Sequence, residues 1–183
     1  MKVKEIISDC VFKLGFGDRI NMSEGAVWTA EEQKTIDILL RCANIVYAEI
    51  CTNYLPNIIT ETVNLIDNKV QLSALINKKY VYAVTLRQNG FFKPIKQYPA
   101  FIESNFSGEG QLDFVAIPAT LALNTEINER IPSWLFADGV VSEYAFANNL
   151  IDIAVQYERK FRESIGHLKT QGSSKYVKAR RWL

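Results

Sequence analysis

The chain has 183 residues, 48% of them hydrophobic and 22% charged, with a formal net charge of +1. That is enough for one domain with a proper core, and too balanced for a dedicated nucleic-acid binder, whose modules usually show an overall basic face. No apolar run approaches the roughly 20 residues that span a bilayer, and the start is amphipathic rather than signal-like because Glu5, Asp9 and Lys13 interrupt it.

Val3, Ile6, Ile7, Cys10, Val11 and Leu14 recur at i, i+3, i+4, i+7 and predict a first helix, stopped at Gly15-Phe16-Gly17. After a loop to Trp28, Thr29 and Glu32 form a Thr-x-x-Glu capping box. One apolar stripe (Ile36, Leu39, Leu40, Ala43, Val46, Tyr47, Ile50, Tyr54) then runs down to Pro56. It predicts a second helix of about 25 residues, roughly 37 Å, as the spine of the domain. Beyond Pro56 the period changes to two. Ile59–Leu65 reads as a strand followed by a turn at Asp67-Asn68-Lys69, and Tyr80–Leu86 as another strand. Asn89-Gly90 is a strong hairpin signal, with Phe91-Phe92 starting the return strand and Pro94 and Pro99 confining it to an edge or ending it early. Leu112–Ile117 is a further strand, with Ala119–Leu123 a candidate extension.

Helix returns at Pro132, since proline suits a first helical turn. Trp134, Leu135, Val140, Val141, Tyr144 and Ala145 supply its buried face. Asn148-Asn149 breaks it before a last helix from about Ile151 to Leu168, carrying Ala154, Val155, Phe161, Ile165 and Leu168 and an i, i+4 pair of Glu158 with Arg162. The predicted class is α+β, mainly α: a bundle of four main helices (1–56 and 131–168) with an inserted antiparallel β region (57–130), then an extended arm, 169–183.

Catalytic chemistry finds little support. His167 is the single histidine and sits at a helix end, so a structural or surface role is the simpler one, and one histidine makes no usual zinc cluster. The three cysteines form no disulfide framework. Cys42 and Cys51 fall on one predicted helix, too far apart to bridge, and a reducing interior at synthesis is the simplest reading. Gly15-Phe16-Gly17 lacks the preceding strand and the following Gly-Lys-Ser/Thr of a phosphate loop. Glu31-Glu32 is better explained as acids at a helix start. No enzyme and no cofactor is expected.

Two segments point to interaction instead. From Lys169 onward there are five cations and no acid, so of the 21 cations 16 remain against 20 acids and the body is near −4. Lys175, Tyr176, Val177, Lys178, Arg180, Arg181, Trp182 and Leu183 mix cations with apolar groups. Such an arm is either a frayed terminus or a segment that docks on another surface. At the hairpin tip, Asn89, Gly90, Phe91 and Phe92 form an exposed aromatic patch if the tip projects, whereas a folded-back tip would place one ring in the core.

The order of elements, with Val3-Lys4-Glu5-Ile6-Ile7 through Lys13-Leu14-Gly15 at the start, Ile131-Pro132-Ser133-Trp134, Tyr157-Glu158-Arg159-Lys160-Phe161 and a closing basic arm, resembles the head-to-tail connector (adaptor) proteins of tailed bacteriophages. In character it is closest to ring proteins of short-tailed, crAss-like phages. The resemblance covers nearly the whole chain and rests on pattern. It implies a structural virion protein: a homo-oligomeric ring of about twelve copies below the portal, around the DNA channel. It further implies an arm reaching into the portal, a β region facing the next tail component, genome passing without sequence-specific contact, and synthesis in the host cytoplasm without membrane association. The other expectation kept open is a small soluble nucleic-acid-binding or regulatory module using its basic arm on phosphates.

Overall fold

The structure is a computed structural model that describes residues 1–127 and 131–172, with side chains to 167. The chain divides into two compact units. One contains Met1–Val46 and the described residues from Leu121 onward, and the other Tyr47–Thr120.

In the first unit, α1 (Val3–Lys13) buries Val3, Ile6, Ile7, Cys10 and Val11, five of the six residues of the predicted stripe, and the sixth, Leu14, is the half-buried C-cap. It ends where Gly15 takes φ 75°, and Phe16 N–H donates back to the Val11 carbonyl at 2.9 Å. α2 (Ala30–Glu49) opens on the predicted capping box. Thr29 N–H and Oγ1–H both donate to Glu32 Oε2 at 2.6 and 2.7 Å, and Glu32 N–H donates to Thr29 Oγ1 at 3.3 Å. These bonds hold the Glu32 carboxyl below its ordinary range, the Thr29 hydroxyl contributing most.

The central helix of this unit is α3 (Ser133–Ala147), not the longer α2. Ten consecutive or near-consecutive α3 residues from Leu135 to Ala145 are buried. A helix apolar on all sides must be enclosed, and mean apolarity rather than an apolar stripe marks it. Gly139 is the point of closest approach. A Cβ there would lie 2.8 Å from Val46 Cγ1 on α2 and 3.0 Å from the Phe161 ring on α4 (Ile151–Gly172). The polar groups of α3 are satisfied: Asp138 accepts from Lys13 Nζ at 2.5 Å, joining α1 to α3, and the buried Ser142 hydroxyl donates to the Ala154 carbonyl at 3.1 Å. At the α3–α4 corner Asn149 takes φ 57°, and Leu150 N–H closes on the Ala145 carbonyl at 2.8 Å. Asn44 on α2 fastens a distant segment of the same unit: its Nδ2–H donates to the Leu121 carbonyl at 3.2 Å, and its Oδ1 accepts Leu121 N–H at 2.7 Å.

The second unit holds two antiparallel sheets. The strands are β1 (Ile58–Leu65), β2 (Lys69–Gln71), β3 (Tyr80–Gln88), β4 (Phe91–Lys93), β5 (Lys96–Gln97), β6 (Phe101–Glu103) and β7 (Gly108–Ala116). They are ordered β1-β7-β3-β4 in one sheet and β2-β6-β5 in the other. A π-helical turn, Ile50–Tyr54, precedes β1, and a 3-10 helix, Leu72–Lys78, links β2 to β3. One face of the larger sheet closes over a core of its own, including Val63, Leu65, Val70, Leu75, Leu86, Ile102, Leu112 and Phe114.

That core overturns the expected architecture. The protein is a mixed α+β fold, 46% helical and 24% strand, with sheets of four and three strands, not a four-helix bundle carrying a β insertion. β1, β3 and β7 are eight, nine and nine residues long and pair across distant sequence. They bury enough apolar surface to form a body of their own. Two local expectations also change. The segment 119–123 adopts no strand. Residues 169–172, assigned to the arm, belong to α4, which the Ala154–Phe161–Ile165 face carries through Gly166. A Cβ at Gly166 would meet open space.

Candidate interaction surface

The hairpin between β3 and β4 is built as its residues dictate. Asn89 and Gly90 take φ 52° and 81°, the two positive values of a type I′ turn, and Gln88 faces Phe91 across it. The tip projects: Phe91 and Phe92 are 74% and 73% exposed, so neither ring enters the core. The two rings lie on opposite faces, because consecutive strand residues alternate. Phe91 and Lys93 share the face of the buried Leu86, and Phe92 shares that of Arg87.

The second face of the large sheet is polar. Thr62, Gln111, Arg87 and Phe92 align as one row across all four strands, and Thr60, Asp113 and Thr85 form the next. Asp113 accepts from the Thr60 and Thr85 hydroxyls, both at 2.6 Å, and from Arg87 at 2.8 and 2.9 Å. Burial pushes the Asp113 carboxyl up, but the hydrogen bonds from Thr60, Thr85 and Arg87 and the adjacent guanidinium charge together hold it below the ordinary range. An ionised, fully bonded carboxylate in this position locks three strands together. It is not a poised acid or base.

The remaining candidates sort simply. Cys10, Cys42 and Cys51 are free and buried. Desolvation raises all three thiols, Cys42 to about 11, so none is an activated nucleophile. His167 is exposed on α4. Among the described residues no group of histidine, cysteine and carboxylate side chains is placed to hold a metal, and no helix is long and apolar enough to cross a membrane. The arm residues Lys175, Tyr176, Val177, Lys178, Arg180, Arg181, Trp182 and Leu183 lie outside the described residues.

Sequence reasoning missed a second apolar patch. Leu150, Ile151, Ile153 and Val155 at the start of α4 are 41%, 51%, 38% and 55% exposed. Only Ala154 of that first turn and a half is buried. The signal was available: apolar residues at 150, 151, 153, 154 and 155 exceed what one helix face can bury.

No protein-family model matches this chain, and no curated protein matches it.

Proposed function

We propose that the protein is a structural virion component, a connector ring between the portal and the tail of a bacteriophage. Its C-terminal arm docks on the portal and its β unit meets the next tail protein. The reading rests on the ordered pattern of elements that resembles phage adaptors. One structural observation supports it most: each unit displays exposed apolar side chains of its own, Phe91 and Phe92 at the hairpin tip of the β unit and Leu150, Ile151, Ile153 and Val155 around the start of α4 on the helical unit. Exposed apolar clusters of this kind mark interaction sites. A ring needs two different complementary patches on every subunit, because its interface joins unlike surfaces and closes by rotation. A body near −4 also suits a conduit through which DNA slides without sticking.

The deciding experiment is electron microscopy of the protein mixed with its portal, paired with a DNA-binding titration over a range of salt. Ring density on the portal, lost on truncation before Lys175 and accompanied by negligible DNA affinity, is the expected result. Steeply salt-dependent DNA binding by the arm, with no portal complex, would overturn the connector reading in favour of a nucleic-acid-binding module.

A further inference from the structure

We infer that the four-stranded sheet continues from one copy into the next: the β4 edge of one molecule, led by Phe91, adds to the β1 edge of its neighbour. This rests on the ring reading and names which surfaces meet. β1 and β4 stand at opposite ends of the strand order. Each therefore offers another chain backbone N–H and C=O groups that no strand of the described residues occupies, β1 along its length and β4 through Phe92, since Phe91 and Lys93 turn theirs to Gln88 and Leu86.

The β1 edge is more than a free edge. Beside it lies a groove of about 650 Å³, floored by Val63, Val70 and Leu75 and flanked by Ala74 and Ile66. The Glu61–Lys78 ion pair, 2.8 Å, Asp67 and Lys69 also border it. A strand added to β1 alternates its side chains. One set falls over this apolar floor and the other beside Thr60, Thr62 and Asn64 on the polar face.

β4 carries the matching pattern. Phe91 and Lys93 lie on the Leu86 face and Phe92 on the polar face. When the sheet continues in its own plane, Phe91 enters the groove and Phe92 rests over hydroxyls. Two unlike edges make a heterologous contact, the kind that closes a ring when the rotation allows. The two phenylalanines supply about 300–500 Å². That is roughly half of the ~800 Å² per partner of a stable interface, so one contact is weak and association grows with concentration.

Sedimentation velocity from about 10 μM to about 1 mM tests this. The variants are Phe91→Ser at the tip and Ala74→Arg in the groove, both exposed positions, with circular dichroism confirming their folds. The wild-type average mass should rise with concentration while each variant stays monomeric. Their equimolar mixture should form a one-to-one pair and nothing larger, since each retains the surface the other lacks. Phe92→Ser should keep most of the association. A wild type that remains monomeric throughout, Phe91→Ser that associates as well as the wild type, or a mixture that stays monomeric overturns the edge contact. Portal capture separates this from the connector reading. A monomeric wild type that the portal still captures sinks the edge contact alone, and Phe91-dependent association without portal binding sinks the connector alone.

Discussion

Gly139→Ala isolates the packing of the helical unit. In a helix interior the added methyl favours folding by about 1 kcal/mol through backbone propensity. Here it would lie 2.8 Å from Val46 Cγ1 and 3.0 Å from the Phe161 ring, and both neighbours are 1% exposed, with no open side to yield toward. Overpacking of a tight core costs about 1–3 kcal/mol. Contact with a stiff β-branched side chain and a ring places this site in the upper part of that range. The net expectation is destabilisation of about 1–2 kcal/mol, or about 2–8 °C in Tm for a chain of this size. Urea denaturation followed by circular dichroism measures it. Val46→Ala in the same chain should relieve part of the clash, so the double variant should be more stable than the sum of the singles by about 0.5–3 kcal/mol. A Gly139→Ala protein more stable than the wild type would refute the close crossing of α2, α3 and α4.

Thr29→Ala removes the acceptor and donor of the α2 capping box and should cost about 0.5–2 kcal/mol in denaturant midpoint, with Thr29→Ser recovering most of it. Gly90→Ala places a Cβ at φ 81° and should cost about 1–2 kcal/mol without altering the sheet spectrum, since open space surrounds the position. Asp113 sets an acid dependence. Its folded pKa is depressed, so its contribution is complete above the unfolded carboxylate value of about 3.9 and is lost as pH falls through the lower folded value. Unfolding at pH 5 and at pH 2.5 should therefore show a steeper acid loss for the wild type than for Asp113→Asn. Equal slopes would remove Asp113 as the cause.

Local structure was legible wherever one short stretch decides it. Thr29 and Glu32, Asn89-Gly90, Asn148-Asn149 and the first-helix stripe each form what their chemistry requires, and Glu158 bonds Arg162 at 2.6 Å as their spacing implies. Partnership across the chain was not legible. β1 pairs with β7, so Thr60 meets Asp113 only through a register that no local pattern encodes. The same blindness hid the weight of the β unit, because strands that share a core look like isolated alternations until they are joined. α3 was undervalued for another reason: from Leu135 to Ala145 it is enclosed on nearly every side, so no stripe marks it, and Trp134, expected on its buried face, is 51% exposed. At the surface, the projecting hairpin tip was one of two readings the sequence left open. The groove beside β1 was invisible because its floor comes from β1, β2 and the 3-10 helix.

The amide of Asn44 has a consequence for how this chain can evolve and be engineered. By holding both backbone groups of Leu121, it fastens the segment where the chain leaves the β unit to the helix that leads into it. A module whose two ends spring from one anchorage is topologically a graft. It can be exchanged for a flexible bridge at little entropic penalty, because the cost of loop closure changes only slowly with loop length. The host should survive that replacement while Asn44 is kept, so relatives could diversify the grafted portion freely on an unchanged helical stock.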